Sequence, residues 1–72
     1  MTAVRTVRVN GRDEEVAAGT TVLALLEAHG LRREWVVVER NGDALVRSSY
    51  EHVTLEDGDR LEIVRAVAGG SR

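Results

Sequence analysis

The chain has 72 residues, with ten arginines against twelve acidic residues, a formal net charge of −2, and no cysteine. That length allows one domain with one small core, and the missing cysteines remove disulfides, thiolate metal sites and any cysteine nucleophile. Acids and arginines are interspersed, so no basic stripe grips phosphates and nucleic acid is not an expected partner. Met1 to Arg8 lacks the apolar run of a signal peptide and no segment has the length to span a bilayer, so no membrane association and a cytoplasmic location are expected.

Val7, Val9 and Val16 flank Asn10-Gly11, a pair that supplies the positive φ angles of a type I′ turn, so the chain is expected to open as a β-hairpin. Gly19 breaks the pattern. Thr20 or Thr21 then offers an N-cap, and a helix of about nine residues follows, with Val22, Leu25 and Leu26 on one side and Leu23 widening the stripe. Gly30 is its left-handed stop. So short a helix is unstable alone and must lie against a sheet. Trp35 to Glu39 reads as a strand ending at a second Asn-Gly turn, Asn41-Gly42, with Ala44, Leu45 and Val46 as the return. Ser48 to His52 is a loop or a single helical turn, and Asp57-Gly58-Asp59 a tight turn. Leu61, Ile63 and Val64, up to Val67, give the last strand, whose alternation is clear at first and blurs towards its end.

Hairpin, helix, hairpin, loop and strand in that order predict an α+β protein of the β-grasp (ubiquitin-like) type. Its sheet would be mixed, with four to five strands, one helix packed across it and the last strand central. The domain is expected over residues 1–67, with a flexible tail carrying two glycines over 68–72. His29 and His52 lack the spacing of a metal pair, and no metal is expected. Asp57 and Asp59 fit a tight turn better than a calcium loop. Trp35 and Tyr50 are expected to cover an edge of the core.

Gly69-Gly70 has no turn to serve, because only Ser71 and Arg72 follow. What it offers is a slim tail, able to thread a narrow channel and bring an α-carboxylate to another protein's active centre. The order Val9-Asn10-Gly11, Gly19-Thr20-Thr21-Val22, Leu25-Leu26 and Val36-Val37-Val38-Glu39-Arg40-Asn41-Gly42 resembles the ThiS family of thiamine-biosynthesis sulfur carriers. So do Val46-Arg47-Ser48-Ser49-Tyr50, Leu55, Asp57-Gly58-Asp59, Leu61-Glu62-Ile63-Val64 and Val67-Ala68-Gly69-Gly70. The resemblance implies a protein co-substrate, not an enzyme, that carries sulfur as a thiocarboxylate on Gly70, the terminal member of the Gly69-Gly70 pair. It implies no bound cofactor: ATP is used by a partner adenylating enzyme related to ubiquitin-activating enzymes, and the sulfur acceptor is a thiazole synthase.

One departure is that members of that family usually end at the second glycine. Here Ser71 and Arg72 hold the Gly70 carboxyl in a peptide bond, and three readings stay open. A JAMM-type zinc peptidase trims the pair, the pair is a remnant of recombinant production, or the chain has lost sulfur transfer. Ala66 to Gly70, fully extended, would span about 17 Å, enough to enter a buried site. If Leu61 and Ile63 point inward, Val64 and Ala66 face the open side of the sheet, where Val37 joins them in a small apolar patch ringed by Arg65, Glu62 and Glu39; Val64, Ala66, Val37 and Arg65 are the candidate docking residues. Alternatives are a carrier for another sulfur pathway (molybdopterin, cysteine or a siderophore-like product) and a β-grasp interaction module without sulfur transfer. Conjugation to proteins is a further option, though with no lysine the chain makes no lysine-linked chains on itself.

Overall fold

The computed structural model describes residues 3–66. Val67 to Arg72 lie outside them, and with these the proposed domain boundary at 67/68 and the diglycine. The chain order is β1 (Val4–Val9), β2 (Arg12–Ala17), α1 (Val22–Ala28), a 3-10 turn (Arg33–Trp35), β3 (Val36–Arg40), β4 (Asp43–Ala44), a second 3-10 turn (Arg47–Ser49) and β5 (Arg60–Arg65). The five strands form one mixed sheet in the order β2-β1-β5-β3-β4. β5 runs parallel to β1 and antiparallel to β3, so the last strand is central, as the sequence pattern predicts. This is the β-grasp arrangement, with one helix across one face.

Both hairpins close as the Asn-Gly pairs require. Asn10 and Gly11 lie at φ +50° and +85°, Asn41 and Gly42 at +53° and +91°, the two consecutive left-handed residues of a type I′ turn. β1 and β2 pair over their full length, from Val4↔Ala17 to Val9↔Arg12. Alternation along β1, β5 and β3 puts Val7, Val9, Leu61, Val36 and Val38 on the helix side, where they are buried with Val16, Val22, Leu25, Leu26, Tyr50 and Leu55.

A helix of seven residues persists because its ends are satisfied from elsewhere in the fold. Thr21 is the N-cap, its hydroxyl oxygen accepting from Ala24 N at 3.1 Å. Val22 N and Leu23 N donate to Val53 O and Tyr50 O, so the loop before β5 takes amides that the helix itself leaves unpaired. At the other end Gly30, at φ +73°, lets Gly30 N and Leu31 N reach Glu27 O and Leu26 O, the paired bonds of a Schellman stop.

Three details differ from the sequence reading. Trp35 closes a 3-10 turn instead of opening β3. The return strand has two residues, Asp43–Ala44, although Leu45 N still donates to Val38 O at 2.9 Å. Tyr50 does not cover an edge: it is 1% exposed, and its hydroxyl accepts from Val38 N at 3.0 Å. The second and third differences share a cause. With β4 so short, the outer side of β3 lacks strand partners, and Tyr50 supplies the acceptor that a longer β4 would have given.

Candidate functional site

β5 leads to the diglycine, and three features surround its far end. The first is the seal on the β3 side, where Ala66 N donates to Trp35 O at 2.8 Å, one step past the β3–β5 ladder. Trp35 also carries two cations on its ring, the guanidinium carbons of Arg32 and Arg65 lying 5.7 and 5.5 Å from the ring centre.

The second is the open face of the sheet. Val37 and Val64 are direct cross-strand partners, Val64 is 53% exposed, and Ala66 follows on the same face. Glu39 and Glu62 lie opposite each other in the next-but-one pair, and Arg60 lines the same surface hollow as the two glutamates. Arg65 stands elsewhere than the sequence reading put it. Alternation from Leu61 turns it to the helix side, where it stacks on Trp35, so it does not ring the valine patch.

The third feature is on that helix side: a shallow groove of about 420 Å³ beside the root of the tail. Val9, Leu31, Val36 and Ile63 line its apolar part, with Arg12 and Arg65 among its polar lining. His29 Nε2 lies 2.8 and 3.0 Å from the two carboxylate oxygens of Glu14, another lining residue, so this histidine is engaged by a neighbour. Among the described residues no group of three or more His, Asp or Glu side chains has metal-binding geometry.

At the opposite end of β5, the Asp57-Gly58-Asp59 turn is structural. Asp57 Oδ1 accepts from Thr6 N at 2.7 Å. Asp59, 5% exposed, accepts from Glu56 N and Arg40 Nε on one oxygen and from Asn41 Nδ2 on the other. Burial pushes its carboxyl up, but the bonds from Glu56 N, Asn41 and Arg40 outweigh that and leave it below the ordinary aspartate value. On the exposed surface, the hydrogen bond from Arg33 to Glu51 at 2.6 Å, together with the Arg33 charge, likewise holds the Glu51 carboxyl low.

The sequence reading missed the side chains of Asn10 and Asn41. Each reaches sideways from its turn to β5, Asn10 to both backbone groups of Ile63 and Asn41 to Arg60 N and Asp59. Asn-Gly accounts for a type I′ turn by backbone conformation alone, so nothing in the local pattern signals a second use.

A small β-grasp domain whose central, final strand is followed in the sequence by a diglycine defines the class of ubiquitin-like carriers. The profile of the ThiS family matches residues 7–70, and the chain belongs to that family. It is 37% identical over 65 residues to the sulfur carrier protein ThiS of Bacillus subtilis, a match covering 89% of this chain and 98% of that one. It is similar over 90% of its length to 99% of the crystal structure of the thiamine biosynthesis protein ThiS from Geobacter metallireducens, with a TM-score of 0.76 and 35% identity. A thiazole synthase of Paramagnetospirillum magneticum is 44% identical over 63 residues, 88% of this chain and 19% of that protein. The chain spans about a fifth of the length of the thiazole synthases it matches.

Proposed function

We propose that this chain is a sulfur carrier whose Gly70 α-carboxyl bears the sulfur as a thiocarboxylate, and that the sulfur goes to a thiazole synthase in thiamine biosynthesis. The observation that carries the reading is the family match running to residue 70, so that it includes both glycines. The thiazole synthases support the choice of acceptor: a stretch of each resembles most of this chain, so carrier-like and synthase sequence occur together in one protein.

The chemistry follows from what a carboxylate lacks. Its charge and resonance repel nucleophiles, so oxygen must first be made a leaving group. Hydrolysis of the Gly70–Ser71 peptide bond, by a JAMM-type peptidase or an equivalent, frees the carboxylate. A partner adenylating enzyme joins it to the α-phosphate of ATP, releasing pyrophosphate. The terminal sulfur of a persulfide on a partner cysteine displaces AMP to give an acyl disulfide. A second partner thiol then cleaves the S–S bond, leaving the thiocarboxylate on Gly70 and a disulfide on the partner. The catalytic groups and the nucleotide site belong to the partners; this chain is a co-substrate and contributes the acyl group and its reach.

Val37, Val64 and Ala66 are the surface on which we expect the body to be seated, with Glu39 and Glu62 facing a basic region of the partner. Incubating the chain released at Gly70 with the adenylating enzyme, ATP and a sulfur donor should replace one oxygen by sulfur in the intact mass. The full chain, with Ser71 and Arg72 in place, should stay unchanged. No mass change in the released chain, with partners shown to be active, would overturn the reading.

A further inference from the structure

The turn of the first hairpin does more than reverse the chain. From its left-handed position, Asn10 sends its carboxamide to β5, where Oδ1 accepts from Ile63 N at 2.7 Å and Nδ2 donates to Ile63 O at 3.2 Å. Its backbone N–H donates to Leu61 O at 2.9 Å. The parallel ladder between β1 and β5 has only the rungs Arg8↔Arg60 and Val9↔Leu61. A carboxamide carries the same donor and acceptor as a peptide group, so Asn10 supplies one more rung for a strand that has already turned away.

Strand alternation decides what lies beyond. Ala66 N donates towards β3, so the N–H and C=O of Arg65 point towards the β1 side, where the hairpin has ended. Ile63 is therefore the last residue of β5 gripped on that side among the described residues. Gly70 is seven positions further on, about 23 Å of extended chain. With the body seated on a partner, the acyl group meets the reacting atom only when the strand leaves in a fixed direction. A loose root lowers the fraction of docked molecules with the carboxyl in place.

We propose that Asn10 is a positioning residue: by holding Ile63 it fixes the root of the tail-bearing strand and the direction in which Gly70 is presented to the activating enzyme. The inference rests on the sulfur-carrier reading above. Asn41 is its natural control, because it lies at the same position of the second Asn-Gly turn and clamps the other end of β5, accepting from Arg60 N at 2.9 Å and donating to Asp59 Oδ1 at 3.1 Å.

The test compares Asn10→Gly and Asn41→Gly, since glycine keeps the left-handed turn and removes only the side chain. In the full chain, Asn10→Gly should make the Ile63 amide exchange about tenfold faster after correction for global stability, and lower the NMR order parameters of Val64 to Ala66. Asn41→Gly should change neither. With chains released at Gly70, the single-turnover adenylation rate at saturating enzyme should fall about tenfold for Asn10→Gly alone, with little change in half-saturation. Unchanged exchange and order at 63–66 would overturn the proposal, as would increased mobility there with an unchanged single-turnover rate. Should the parent chain not be adenylated at all, the sulfur-carrier reading fails. The exchange and order measurements then decide separately whether Asn10 fixes the strand root.

Discussion

Among the described residues Asp59 is the most heavily committed polar side chain, and its bonds join three segments: the turn before β5, the end of β3 and the second Asn-Gly turn. Asp59→Asn keeps the volume but loses the charge and turns its amide donor either towards Asn41 Nδ2 or towards both Glu56 N and Arg40 Nε, so it should cost about 2 kcal/mol at neutral pH. The native carboxyl lies below its ordinary value while the unfolded one titrates at about 4, so acid protonates the unfolded chain first. The contribution of Asp59 is complete above about pH 5 and is lost as pH falls below about 4 and through the lowered native value. Urea midpoints of parent and variant measured against pH should converge in acid; a constant gap would show that charge is not the cause. Tyr50→Phe removes the acceptor of the buried Val38 amide and should cost about 1–3 kcal/mol, read from the same titrations. At this scale the sequence was only partly legible. Asp57 and Asp59 were readable as turn residues because Asp-Gly-Asp is a local signature. Tyr50 was not readable as an interior hydrogen-bond partner, because its use depends on the length of a strand paired to another segment. Arg65 could have been placed by counting from Leu61 in twos, had the runs of apolar residues beside it not blurred the alternation.

Elements were more legible, since each is announced by a local rule. Both hairpins follow from Asn-Gly, and the helix from a threonine cap, an apolar stripe and a glycine stop; all three stand where those residues put them. Boundaries set by tertiary hydrogen bonds were less so. The late start of β3 and the two-residue β4 reflect partners that lie far away in the sequence, including Arg47, whose Nε donates to Arg33 O at 2.9 Å. The stop of α1 yields a clean prediction. A Cβ at Gly30 would meet no atom within 4 Å, so Gly30→Ala tests conformation without a clash. At φ +73° an alanine is strained, and the variant should lose about 1 kcal/mol in chemical denaturation. An unchanged midpoint would mean that the helix end relaxes into another stop at no cost.

For the whole molecule, the fold separates what keeps it folded from what it presents. The core lies on the helix side, whereas the valine pair and the two glutamates lie on the open face, and the strand that joins them is the one leading to Gly70. A chain of this size has a total stability of about 4–11 kcal/mol, so a surface used only for docking must be changeable without drawing on that margin. Val64 lies on the face proposed above for docking: it is half exposed on a central strand, and an aspartate there removes apolar contact area and adds a third negative charge near Glu39 and Glu62. Val64→Asp should therefore weaken binding to the adenylating enzyme at least tenfold while moving the thermal midpoint by only a few degrees. Gly70→Ala should do the reverse. It lies outside the described residues and, on the proposed function, should leave stability and docking untouched, whereas its methyl group should obstruct the narrow channel proposed for the tail and slow adenylation at saturating enzyme. Measuring both variants by titration and by single turnover separates the seat from the tail. If both acted only on affinity, or both only on rate, body and tail would not be doing the separate work assigned to them.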